Sequence, residues 1–199
     1  MENLKQIVNP YLPSWEYIPD GEPRVFEYNG EKRVYVYGSH DIERKQYCGR
    51  DYVVWSAPVT DLTDWTCHGV AYETHYDSIL YAPDVVQRGD TFYMYAAERK
   101  GSLVVVVSSK TPYGPFENPV ETKLGFDPGI LVDDDGKVYY TGTHPNKDGC
   151  KYDGDWYIYT QEIDIENFKL IGEPVDVGNG AMKCVHWPEG PHLYKIGEY

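Results

Sequence analysis

Residues 82–97 read Ala82-Pro83-Asp84-Val85-Val86-Gln87-Arg88-Gly89-Asp90-Thr91-Phe92-Tyr93-Met94-Tyr95-Ala96-Ala97, and this stretch decides the fold. An acid beside proline opens a short apolar run. Arg88-Gly89-Asp90 supply a turn, and a Tyr-rich run follows. Short runs of β-branched and aromatic residues between Gly, Pro and Asp are strands, and a Gly-containing turn makes the pair a hairpin. Leu103–Ser108 and the region of Phe116 supply a third and a fourth strand.

Working outward, the same order returns three more times. Asp20-Gly21-Glu22-Pro23 precedes Val25-Phe26, the turn Asn29-Gly30 and Val34-Tyr35-Val36-Tyr37. Phe126-Asp127-Pro128 precedes Ile130-Leu131-Val132, Asp135-Gly136-Lys137 and Val138-Tyr139-Tyr140. Pro188-Glu189-Gly190-Pro191 precedes His192-Leu193-Tyr194, and the sequence ends at Tyr199. The first unit's later strands fall at Asp51–Ser56 and near Trp65–Val70, the third unit's at Trp156–Gln161 and Lys169–Glu173. Helix-period segments are almost absent.

Units of roughly 40–60 residues with four short strands match propeller blades. A two-sheet sandwich is the other all-β reading, but it gives no reason for an acid at the head of every unit. Radial units bring those acids together around one axis. The expected fold is therefore an all-β propeller, with three blades and the start of a fourth, treated as one partial domain over residues 1–199. Closure needs whole blades, so the sequence reads as part of a longer protein or a truncated one. Open sheet edges would then allow self-association.

The chain has 199 residues, 41% hydrophobic, with 20 Tyr and 5 Trp. That supports a packed core and excludes disorder. A net charge of −14 argues against nucleic acid and anionic membrane as partners. The four Cys, at 48, 67, 150 and 184, include no Cys-x-x-Cys pair, so no zinc site is expected. Asp133-Asp134-Asp135 lacks the Gly and Glu spacing of an EF-hand and reads as a hairpin turn. No cofactor or metal is expected. The first residues, Met1–Ile7, lack a signal-peptide apolar core, and a cytoplasmic location is the expectation.

Six local motifs in order make the sequence similar to glycoside hydrolase family 43. They are Asn9-Pro10 through Tyr37-Gly38-Ser39-His40-Asp41; Asp61-Leu62-Thr63-Asp64-Trp65; Tyr81-Ala82-Pro83-Asp84-Val85; Ser109–Phe116; Phe126-Asp127-Pro128-Gly129 through Lys137; and Glu189-Gly190-Pro191-His192-Leu193-Tyr194-Lys195. The resemblance implies a five-bladed propeller, of which this chain is about two thirds. It also implies an inverting glycosidase of the α-L-arabinofuranosidase or β-D-xylosidase type, acting on an oligosaccharide substrate. Inversion uses a general acid and a general base on opposite faces of the sugar, roughly 6.5–9.5 Å apart. By the resemblance Glu189 is the acid and Asp84 the third carboxylate that helps the acid keep its proton. Asp20 is the preferred base, with Glu22 open as the alternative because Glu22 holds the place before Pro23. Asp127 is expected to hold the third-blade turn at the pocket floor. Tyr37, His40, Tyr81, Phe126 and Trp187 are the expected substrate-binding side chains, since aromatic rings near the acids can stack on a sugar face. Two other functions stand beside this one: a non-catalytic carbohydrate-binding propeller or inactive fragment, and a retaining fructosyl-active propeller.

Overall fold

The computed structural model describes residues 10–41, 47–98, 103–145, 156–176 and 189–197. These residues form three four-stranded antiparallel sheets and no helix. The first sheet contains β1 (Glu22–Tyr28), β2 (Glu31–Ser39), β3 (Asp51–Pro58) and β4 (Thr66–Glu73) in order. The second contains β5 (Asp84–Arg88), β6 (Thr91–Glu98), β7 (Leu103–Ser109) and β8 (Glu117–Glu121). The third contains β9 (Phe126–Val132), β10 (Val138–Pro145), β11 (Trp156–Asp164) and β12 (Lys169–Asp176). Each sheet is a simple meander. The leading strands touch one another, β1 against β5 and β5 against β9. That places the leading strands at the axis and the fourth strands at the rim, which is the propeller arrangement.

The turn chemistry explains the hairpins. Asn29 and Gly30 both adopt positive φ, 51° and 77°, as a two-residue loop between twisted strands requires. The acidic run at 133–135 is also a hairpin. The Asp133 N–H donates to the Lys137 carbonyl at 2.8 Å, and Gly136 donates back to Asp133 at 2.9 Å. Lys195 pairs with Asp133 and with Asp134, so a lysine answers these charges.

The second sheet is covered on both faces, and its alternation is visible residue by residue. Val85, Phe92, Met94, Ala96, Val105 and Val107 pack toward the first sheet with Phe26, Tyr35, Tyr37 and Phe116. Val86, Tyr95, Val104 and Val106 pack toward the third with Ile130, Val138, Tyr140 and Tyr159. Backbone ties join the first two blades. The Phe116 N–H donates to the Ala71 carbonyl at 2.8 Å, and the Ala97 N–H donates to the Tyr52 hydroxyl at 3.1 Å.

The strand expected at His192–Tyr194 is not a strand here. A strand exists as half of a ladder, and among the described residues this segment has no ladder partner.

Candidate active site

The leading strands β1, β5 and β9 bring their side chains to the axis. Along β1, Glu22, Arg24 and Phe26 turn one way while Pro23, Val25 and Glu27 are exposed. Period two in a strand thus puts an acid and a base side by side. Arg24 reaches Asp84 on β5 with two bonds, Nε to Oδ1 at 2.8 Å and Nη2 to Oδ2 at 2.5 Å. Asp84 is fully buried. It also accepts the Val85 amide at 2.6 Å and the Ile130 amide of β9 at 2.6 Å. Arg24 Nη2 donates in addition to the Ile130 carbonyl at 3.0 Å. This one ion pair therefore joins all three blades at the axis.

Asp84 spends its acceptors on those four donors. Burial pushes its carboxyl up, opposed by Arg24 and the Ile130 amide. Glu22 lies beside the pair, 3.2 Å from Arg24 Nε, and is raised to about 7 by burial, then by the charge of Asp84, against Arg24. His192 comes within 3.6 Å of Glu22. Burial and then Arg24 hold the imidazole below its usual range. Ligand atoms of Glu22, Asp84 and His192 lie within 4.8 Å of one another. The Arg24 guanidinium fills the positive role among them and leaves Asp84 no free lone pair for a metal ion.

A second acidic group forms around Asp127. This residue follows the first residue of β9, has φ +52° and is 8% exposed. Asp127 Oδ2 accepts the Gly190 amide at 3.2 Å. Its carboxyl is raised to about 6 by burial first; the Gly190 bond opposes this, and the negative charges of Glu189 and Asp20 add to it. Cys48 is buried, and its thiol is pushed up to about 11, first by burial and then by the charges of Asp20, Asp41 and Asp127, against a bond from Ser39. Asp20 and Glu189 themselves are exposed to solvent, and Asp20 holds a positive φ of 54° at the turn into β1. Asp20 and Glu189 thus both lie close enough for their charges to act on Asp127, while Asp84 and Glu22 lie with Arg24.

The acid-bearing segment is seated on β9. A methyl group added at Gly129 would stand 2.4 Å from the Pro191 carbonyl oxygen, so only glycine lets residues 190–192 approach this strand so closely.

The expected pocket residues divide. Tyr37 is wholly buried, and its hydroxyl donates to the Pro112 carbonyl. It belongs to the core between the first two blades, correcting its expected place in the pocket. His40 sits between Asp51, 3.0 Å from Nδ1, and Glu16, 3.4 Å from Nε2. Glu16 in turn accepts Trp55 Nε1 at 2.7 Å. His40 therefore ties the segment before β1 to the first blade. Tyr81 and Phe126 are half-buried and pack edge to face at 5.3 Å. Tyr47, 64% exposed, extends this aromatic row, with its ring 6.1 Å from Tyr81. Sequence reasoning missed Tyr47, because it lies between acidic motifs rather than beside one. Trp187 lies outside the described residues.

The axis thus gathers carboxylates from different blades, and Phe126, next to Asp127 in sequence, ends a partly exposed aromatic row. The family model of Glycosyl hydrolases family 43 matches residues 21–199, and the chain belongs to that family. It is 43% identical over 167 residues to "Xylosidase/arabinosidase" of Thermoclostridium stercorarium, covering 72% of this chain and 34% of the relative. It is 43% identical over 124 residues to "Xylosidase/arabinosidase" of Butyrivibrio fibrisolvens, covering 60% of this chain and 24% of the relative. Among solved structures, that of a thermostable family-43 glycoside hydrolase superposes with a TM-score of 0.61 at 26% identity, covering 85% of this chain and 55% of that one. The chain spans a quarter to about half the length of these relatives.

Proposed function

We propose that this chain carries the catalytic carboxylates of an inverting glycosidase that releases pentose units, as an α-L-arabinofuranosidase or β-D-xylosidase. The observation that carries this reading is Asp127, whose carboxylate accepts the amide of the residue after Glu189 and feels the negative charges of Glu189 and Asp20. Glu189 protonates the leaving oxygen. Asp20 takes a proton from the attacking water. Asp127, whose negative charge faces Glu189, favours the protonated acid. The role that the resemblance gave to Asp84 thus moves to Asp127, because the Asp84 charge is spent on Arg24. Asp20 is preferred over Glu22 as base, since Glu22 faces Arg24 and His192 instead. The two relatives named as xylosidase/arabinosidase support the pentose assignment.

The test is hydrolysis of aryl α-L-arabinofuranosides and β-D-xylosides, with the anomer of the first product read by NMR. The expected product has inverted configuration. A retained configuration overturns the mechanism. Absence of turnover, both in this chain and in a polypeptide extended to the relatives' length, favours a carbohydrate-binding propeller.

A further inference from the structure

One buried carboxyl belongs to neither cluster at the axis. Glu98 ends β6 and is wholly buried. Its Oε2 accepts the Thr74 hydroxyl at 2.8 Å, and its Oε1 accepts the Tyr72 hydroxyl of β4 at 3.4 Å. Burial pushes the carboxyl up, while the Thr74 and Tyr72 bonds, the His75 charge and a Ser78 bond act against this. A carboxyl is costly to bury unless its oxygens are bonded. Here the bonding groups are hydroxyls from β4 and from the loop 74–80 that follows it.

That loop carries bonds to both tyrosine-bearing segments of the aromatic row. On one side it is tied to residues 49 and 50, just after Tyr47. The Thr74 N–H donates to the Arg50 carbonyl at 2.9 Å, and the Leu80 N–H donates to the Gly49 carbonyl at 2.9 Å. Arg50 returns two bonds, Nη2 to the Tyr76 carbonyl at 2.8 Å and Nη1 to Asp77 at 3.1 Å. On the other side it is tied to the end of β6. Leu80 bridges Glu98, and the Tyr81 N–H donates to the Ala97 carbonyl at 2.8 Å. Tyr47 and Tyr81 then meet, hydroxyl to hydroxyl at 3.5 Å and ring to ring at 6.1 Å. Glu98 thus fastens the start of the loop, at Thr74, to the strand that holds its end, at Leu80 and Tyr81.

We propose that Glu98 is a positioning residue for sugar binding, which holds the loop 74–80 so that Tyr47 and Tyr81 stand as one wall of the substrate site. This rests on the reading of the site as that of a pentose-releasing glycosidase. Glu98 itself is buried and touches no sugar. A stacking wall binds substrate and transition state alike, so disturbing it is read in affinity and KM rather than in kcat. Hydroxyls both donate and accept. Glu98→Gln therefore keeps partners in Thr74 and Tyr72, whereas Glu98→Leu leaves the Thr74 hydroxyl without its acceptor.

The experiment compares the wild-type chain with Glu98→Gln, Glu98→Leu and Thr74→Val. Each is also made with Asp20→Asn to stop turnover, and the affinity for xylotriose and for arabinotriose is read there by NMR titration. KM and kcat come from hydrolysis of aryl pentosides without the Asp20 change. Glu98→Leu should weaken binding and raise KM about tenfold with kcat within about twofold. Thr74→Val should raise both about threefold, and Glu98→Gln should stay within about twofold of wild type. Where Glu98→Leu does not fold, Thr74→Val set against Glu98→Gln makes the same comparison. Unchanged affinity in Glu98→Leu and Thr74→Val, a loss confined to kcat, or Glu98→Gln as weak as Glu98→Leu overturns the proposal. So does a wild-type site that binds neither sugar. A wild-type chain that binds a sugar and hydrolyses no pentoside ends the hydrolase reading alone, and the affinities then decide the role of Glu98.

Discussion

Asp127 shows how one residue's surroundings set its role. Its carboxyl, raised to about 6, is charged above that pH, and the charge lies beside Glu189. Asp127→Asn removes the charge and keeps the shape. The alkaline limb of kcat/KM should then move to lower pH, with a loss on the order of tenfold to a hundredfold at neutral pH. An unmoved limb would return Asp127 to a purely structural place. The acid and base separate by leaving group. Glu189→Gln should cripple substrates with poor leaving groups and spare activated aryl glycosides, which need little protonation. Asp20→Asn should lose on the order of 10³-fold on both kinds. Near-normal turnover in Asp20→Asn, with complete loss in Glu22→Gln, would give the base role to Glu22.

At the scale of strands, the decisive contact is between β9 and residues 190–192. Gly129→Ala places a methyl group 2.4 Å from the Pro191 carbonyl. Backbone cannot rotate away as a side chain can, so strand and segment must part. Overpacking of this kind costs about 1–3 kcal/mol, and here the cost falls on the segment that carries Glu189. The expected outcome is a kcat loss of about tenfold or more with little change in denaturant midpoint. A midpoint loss without a kcat loss would place the strain elsewhere. The strands of the three sheets were legible in the sequence, because β-branched runs bounded by Gly, Pro and Asp change little with context, whereas the strand expected at His192–Tyr194 needed a ladder partner that the described residues do not supply. The side a residue faces was less legible. Tyr37 and Tyr81 both lie near acidic motifs, yet Tyr37 turns into the core and Tyr81 toward Phe126. Asp84 and Asp127 occupy equivalent places in successive units. Only the partner arriving from another blade separates them: Arg24, 60 residues earlier, for Asp84, and Gly190, 63 residues later, for Asp127. Long-range pairing of this sort leaves no mark in local spacing.

For the whole molecule, the two clusters at the axis fix how stability depends on pH. Glu22 is raised from 4.5 to about 7 and Asp127 from 3.8 to about 6, both mainly by burial. Between the unfolded and folded values the native state keeps protons that the unfolded chain has lost. Stability is therefore full below about pH 4 for this contribution and declines as pH rises through about 7. Shifts of this size correspond to at most about 3.5 kcal/mol for each group. The net charge of −14 at neutral pH adds self-repulsion of the same sign. Asp90, Asp133 and Asp164 act the other way. Hydrogen bonds or lysine partners lower them, so what they contribute is lost only in stronger acid. Stability should accordingly peak in mild acid and fall toward neutrality. Glu22→Gln with Asp127→Asn should flatten that fall and leave the surface repulsion in place. Urea melts of both proteins at about pH 5 and about pH 8 give the comparison. A wild type whose stability is level or rising across this interval would show that the axis holds these carboxyls charged, and a double variant with an unchanged slope would place the buried protons on other groups.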